Sequence, residues 1–137
     1  MDVNCLFCRI VAGELPSRRV YADDAAVAFL DLAPFHRGHT LVVPRTHVVD
    51  LLDGSGSMAS LGPAIDATAR MLVDRFDADG LNLVSSAGAV AGQEVQHLHV
   101  HLIPRYADHP GGPAVFDTDT DHSAEALDAV HRQITGS

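Results

Sequence analysis

His97-Leu98-His99-Val100-His101-Leu102-Ile103 is the stretch on which the reading of this chain turns. Successive side chains of a strand point to opposite faces, so His97, His99 and His101 would project together while Leu98, Val100 and Leu102 cover a core. Three imidazoles on one face of an otherwise buried strand are costly unless each has a partner. The pattern predicts a strand from Val95 to Ile103, stopped by Pro104, and places the chemistry on it. Two readings follow. One is a tri-histidine catalytic metal site with a water in the open position. The other uses histidine as nucleophile and acid in phosphoryl chemistry.

Outward from this strand, no repeat, low-complexity tract or linker divides the chain, and residues 1–137 read as one domain. Leu6 to Val11 predicts a short helix ending at Gly13. Arg19-Val20-Tyr21 and Val27-Ala28-Phe29-Leu30 predict two strands around Asp23-Asp24. Asp31 to Gly38 predicts a loop, and Thr40-Leu41-Val42-Val43 a third strand, stopped by Pro44. A helix is expected from about Ser60 to Phe76, with Leu61, Ile65, Thr68 and Leu72 on one face and Pro63 tolerated in its first turn. Leu81 to Ser85 is a fourth strand and Ala87 to Gly92 a loop of small residues. Ala124 to Ile134 predicts a closing helix with a buried stripe of Leu127, Val130 and Ile134. Strands and helices do not alternate strictly, which favours an α+β domain with a mainly antiparallel sheet.

Composition narrows the function. The chain has 137 residues, 9 basic and 18 acidic, for a formal net charge of −9. That length buries a core without disulfides. A surface of this sign repels a phosphate backbone, and no basic cluster relieves it, so nucleic acid is not an expected partner. Apolar runs are too short to span a membrane. Met1-Asp2-Val3-Asn4 lacks the basic start and apolar stretch of an export signal, and with two cysteines the expected compartment is the cytoplasm. An anionic substrate would have to be held by local donors.

Cys5 and Cys8, in Cys-Leu-Phe-Cys, have the spacing of a zinc-ligand pair. They also fit two buried thiols or a redox pair. With His47 and His97 as further candidates, two thiolates and two imidazoles would close a tetrahedral, structural site.

At this point the chain resembles the histidine triad family of nucleotide hydrolases and transferases. The resemblance rests on His97 to Ile103, the Cys5–Cys8 opening, Phe29-Leu30-Asp31, Gly38-His39-Thr40-Leu41-Val42-Val43-Pro44 and Gly92-Gln93-Glu94-Val95. It covers a core of about residues 5–106, leaving 107–137 as an extension. It implies a five-stranded sheet with a long helix, continued across a homodimer, and a purine nucleotide site. By this resemblance His99 is the nucleophile that attacks the α-phosphorus, while His101 and His39 contact the phosphate and help the leaving group. Asp31 would bind the ribose, and Phe7, Ile10, Phe29 and Leu32 would wall the base pocket. Gln93 would donate to the phosphate or hold the loop, near Gly92 and with Ser86 where many members carry Asn. His97 and His47 match the zinc-ligand positions of the wider superfamily.

The expected reaction is hydrolysis of a nucleoside phosphoramidate or a dinucleoside or nucleoside polyphosphate. The alternatives are a nucleotidyl transferase or phosphorylase, and a nucleotide-binding regulatory module with residual activity. The chemistry is sound on its own terms. Neutral imidazole, with a pKa of about 6.5, is a usable nucleophile if one ring nitrogen is held as a donor, as a backbone carbonyl would hold it. His101 would then stabilise charge or hand a proton to the departing group. Backbone amides of the loop Ala87 to Gly92 would approach the phosphate.

Overall fold

Alternation along Ala26-Val27-Ala28-Phe29 divides the molecule into two cores. Ala26 and Ala28 pack with Val42, Leu61, Ala64, Leu72, Leu98, Val100 and Leu102. Val27 and Phe29 turn to the other face and pack with Cys5, Phe7, Cys8, Ile10, Leu41 and Val43. Apolar residues of both parities make this strand buried on both sides, as a central strand must be. The computed structural model describes residues 2–54, 56–111 and 120–137, so residues 112–119 of the extension lie outside the described residues.

The elements are α1 (Leu6–Val11), β1 (Arg19–Ala22), β2 (Ala26–Leu30), β3 (Thr40–Pro44), α2 (Ser57–Ser60), α3 (Gly62–Phe76), β4 (Gly80–Val84), a 3₁₀ turn (Ala89–Ala91), β5 (Val100–Arg105) and α4 (Ala124–Thr135). The five strands form one sheet in the order β1-β2-β3-β5-β4, with every neighbouring pair antiparallel. The expected α+β architecture is therefore present. The first core lies between the sheet and α3, and the second between the sheet and α1. His101 is the register partner of Leu41, a residue of the second core, which places its ring on the α1 face of the sheet.

Three boundaries differ from expectation. The fifth strand begins at Val100 rather than Val95, so His97 and His99 precede it. Their segment is held instead by loop bonds, with the Leu98 N–H donating to the Val48 carbonyl at 2.8 Å. Neither proline stops its strand in advance, because Pro44 and Pro104 both lie within the ladder. The pairing of β3 with β5 runs only from Thr40 to Val42, so each proline has a neighbouring strand on one side alone. A missing amide costs the ladder little there. Finally, the long helix starts at Gly62 with Pro63 in its first turn, after the short α2, and Leu61 is buried at its N-cap.

The closing helix forms where expected, capped by the Ser123 hydroxyl, which accepts from the Ala126 N–H. Its stripe is not buried. Leu127, Val130 and Ile134 are all more than half exposed, because α4 has no part in either core among the described residues.

Gly38 deserves its place before His39. Its φ is +92°, and a Cβ there would lie 3.0 Å from the Phe76 ring and 3.1 Å from Pro104 Cγ. Gly38→Ala should cost about 1–3 kcal/mol, from the backbone conformation and the crowding together. A urea titration that leaves the midpoint unchanged would contradict this.

Candidate active site and metal centre

The α1 face of the sheet gathers seven chemistry-bearing side chains into two adjoining groups. Cys5, Cys8, His47 and His97 form the first, with donor atoms all within 4.8 Å of one another. Asp31, His39 and His101 form the second, meeting the same limit. Phe7 borders the first group, its ring edge-on to His97 at 5.9 Å and to His99 at 5.2 Å.

Hydrogen-bond direction defines each ring's tautomer. Nε2 of His97 lies 2.9 Å from the Pro44 carbonyl, which can only accept, so Nε2 carries the proton. Its bare Nδ1 faces Cys5 Sγ at 3.3 Å, Cys8 Sγ at 3.5 Å and His47 Nδ1 at 3.2 Å. Cys8 Sγ is 3.3 Å from His47 Nδ1. A tetrahedral ion with metal–nitrogen bonds of about 2.0 Å and metal–sulfur bonds of about 2.3 Å spaces its ligands about 3.3–3.8 Å apart. The observed separations match that frame closely, and the group could hold a metal ion. Asp2 Oδ2, 4.0 Å from His47 Nε2, supplies a carboxylate behind one imidazole. Burial pushes the Cys5 thiol up, which a bound cation would reverse.

His99 is held differently. Its Nδ1 donates to the His97 carbonyl at 2.7 Å, leaving Nε2 as a bare lone pair. The Ser85 hydroxyl donates to the carbonyl of His99 itself at 2.8 Å, fixing the backbone beneath the ring. The expected carbonyl restraint on this histidine is therefore present. The three strand histidines have separate partners, so the tri-histidine metal arrangement does not form.

The second group runs from the backbone. The Phe35 N–H donates to His39 Nδ1 at 3.0 Å, so the proton of neutral His39 is on Nε2. That nitrogen lies 2.9 Å from His101 Nδ1 and 3.6 Å from Asp31 Oδ2. His39 is 1% exposed, and burial holds its pKa below the usual range, against the attraction of Asp31. His101 is lowered to about 4, first by burial and then by its neighbours His99 and His39.

The remaining expected residues are distributed unevenly. Phe7, Ile10 and Phe29 are buried together, with Phe7 and Phe29 in edge contact at 5.5 Å. Leu32 is 83% exposed and outside that cluster. Asp31 makes a turn bond, its Oδ1 accepting from the Ala33 N–H at 2.8 Å, while Oδ2 faces His39. The side chain of Gln93 is engaged within its own loop and with Val49. Its Oε1 accepts from the Gly88 N–H, and its Nε2 donates to the Val49 and Val95 carbonyls, leaving the amide saturated. The amides of Gly88, Ala91, Gly92 and Gln93 likewise bond within the loop rather than opening toward a ligand. Ser86 sits beside Gly92, its hydroxyl 3.9 Å from where a Cβ of Gly92 would lie. Sequence reasoning missed Phe35, Ser85, the Pro44 carbonyl and Asp2. Only Asp2, a carboxylate three residues before Cys5, carried any signal.

Comparison with known proteins gives the context. A family model described as "HIT domain" matches residues 12–108. The chain is 42% identical over 119 residues to "Protein hit" of Bacillus subtilis, covering 86% of this chain and 82% of that protein. A crystal structure from Streptococcus mutans superposes with a TM-score of 0.90 at 37% identity, covering 99% of this chain and 86% of that one. A protein named adenylylsulfatase HINT3, from Arabidopsis thaliana, is 35% identical over 74% of this chain and 52% of its own length.

Stability should follow His39 and His101, whose pKa values are both lowered, first by burial. The unfolded chain takes up protons on them near pH 6.5, whereas folded His101 does so only at about 4. The His101 contribution is thus complete above about pH 6.5 and is lost as pH falls toward about 4, and His39, also lowered, acts in the same direction. Urea midpoints measured across that window should fall with pH, and His101→Gln should flatten part of the slope. An equally steep slope in the variant would exclude His101 as a source.

Proposed function

This chain belongs to the HIT domain family, and on that premise we propose that it hydrolyses purine nucleotide derivatives, nucleoside phosphoramidates or dinucleoside or nucleoside polyphosphates, through a nucleotidylated His99. The observation that carries this reading is the Nδ1–H of His99 bound to the His97 carbonyl at 2.7 Å, which leaves Nε2 as a lone pair of fixed direction. Nε2 attacks the α-phosphorus, the bond to the leaving group breaks, and the new imidazolium keeps its Nδ1 proton on the carbonyl. Water then attacks phosphorus, and the P–N electron pair returns to His99. Asp31 binds the ribose and Phe7, Ile10, Phe29 and Leu32 border the base. His101 faces the phosphate with His39 bonded behind it at 2.9 Å, and the loop positions Ser86 and Gly92 border the same group. The name adenylylsulfatase borne by one relative supports hydrolysis at a nucleotide phosphorus.

The metal we assign to Cys5, Cys8, His47 and His97 is zinc, on the strength of two sulfur and two nitrogen donors with tetrahedral spacing. With four protein ligands it would serve as a structural cross-link, pinning α1 to the segment that carries His99. We further propose that one domain of residues 1–137 assembles as a cytoplasmic homodimer. The edge strand β4 supports this, with Leu83 and Val84 exposed on it.

Two outcomes test the reading. Single-turnover incubation with adenosine phosphoramidate and diadenosine polyphosphate, followed by intact mass without acid, should give an adduct of one nucleoside monophosphate. His99→Ala should lack the adduct and lose on the order of 10⁴–10⁶-fold in kcat/KM. Wild-type turnover without any adduct would refute the covalent route. For the metal, elemental analysis should find about one zinc per chain, the number one four-ligand site holds, and Cys5→Ser and Cys8→Ser should lose it. Full retention in both would refute the ligand set.

A further inference from the structure

A net charge of −9 opposes any anionic ligand, so a chain of phosphates needs a cation close by. The loop before the histidines does not supply donors, because Gln93 and the neighbouring amides are engaged within the protein. Strands β4 and β5 carry one basic residue between them, Arg105 at the end of β5. Val100 and Leu102 pack in the first core, and Pro104 stands with the Phe76 ring around Gly38. The alternate residues His101, Ile103 and Arg105 therefore share the α1 face. Arg105 lies four residues past His101, about 13 Å along the strand. Its Nε donates to Asn82 Oδ1 at 2.8 Å, and Asn82 is the register partner of Ile103. Gly111 crosses this pair so closely that a Cβ there would overlap both groups. The half-buried guanidinium is thus fixed on the floor of that face, and among the described residues no carboxylate pairs with it. Its charge reaches the site. Burial lowers the His39 pKa first, Asp31 raises it, and Arg105 lowers it again.

We propose that Arg105, positioned by Asn82, binds the phosphates beyond the scissile bond and so sets a preference for nucleotides with a long, highly charged leaving group. This rests on the nucleotide hydrolase reading and adds a recognition residue to it. Phe7 touches the rings of His97 and His99, which puts the apolar pocket at that end of the histidine segment. In-line displacement places the leaving group across phosphorus from the attacking His99 nitrogen. A phosphate chain departing on the far side of His101 then runs along the α1 face of β5 toward Arg105. A guanidinium accepts phosphate oxygens two at a time, and one already oriented by a side-chain amide loses little freedom in doing so. At its distance from His101 it meets the outer phosphates rather than the one attacked.

Equilibrium binding to His99→Ala tests this apart from turnover. On charge alone, each added phosphate should weaken binding to a chain of −9. With Arg105 in place, adenosine 5′-tetraphosphate should bind at least about 10-fold more tightly than adenosine monophosphate, the scale of a charge-assisted hydrogen bond. That advantage should shrink as salt is raised. Adding Arg105→Gln should remove it, and Arg105→Lys, which keeps the charge, should retain part. Arg37→Gln removes the same charge from a guanidinium that lies over Phe76 and Tyr106, and should leave the advantage intact. Equal or weaker binding of the tetraphosphate to His99→Ala would overturn the inference, whether or not an Arg105 variant folds. So would an equal loss from Arg37→Gln, which would assign the effect to net charge. Either result leaves the His99 route standing, whereas failure of both nucleotides to bind would overturn the nucleotide reading as well.

Discussion

A buried imidazole with every polar group engaged is the constraint on which this structure depends. His97 is fully buried, and in that setting neither ring nitrogen can go without a partner. One nitrogen is answered by the Pro44 carbonyl at the end of β3, the other by sulfur and nitrogen atoms from α1 and from His47. The carbonyl of the same residue orients His99. Two distant parts of the chain, α1 and the segment from Pro44 to His47, converge on one side chain, and the direction of a neighbouring ring is settled by its backbone.

The sheet separates this polar work from the hydrophobic work. On one face Leu98, Val100 and Leu102 lie against α3 with Leu61, Ala64 and Leu72, a dense apolar layer with few polar atoms. Thr68 is the exception, its hydroxyl buried without a partner. On the other face the histidines lie among aromatic and sulfur atoms under the short α1. Backbone rigidity comes from the first layer and is used by the second. The β5 residues of the two layers alternate, so a one-residue shift in register would exchange them.

What could be read from the sequence was periodicity. The alternation of histidine and apolar residues correctly separates the two faces, although regular pairing starts only at Val100. Side-chain parity persists in an extended segment whether or not a partner strand is present. The stripe of α4 shows the opposite failing. A repeat of Leu127, Val130 and Ile134 tells which face is apolar and says nothing about whether anything covers it. The donors and acceptors that define the tautomers were illegible for a simpler reason. The Phe35 amide and the Pro44 and His97 carbonyls are main-chain groups, identical in kind at nearly every position. Gln93 was legible as a polar residue in a small-residue loop, but its three partners depend on how that loop closes.

Cys5 and His97 meet across 92 positions of sequence. On a ribosome adding about 5–20 residues per second, the cysteine pair is made roughly 5–20 s before its last partner. Through that interval both thiols are open to oxidants and to stray metal, since the fold that shelters them has not closed. The cysteine end of the chain is thus the part that waits longest for the partner that shelters it. Completion of the histidine segment ends that exposure and orients the His99 ring in the same event.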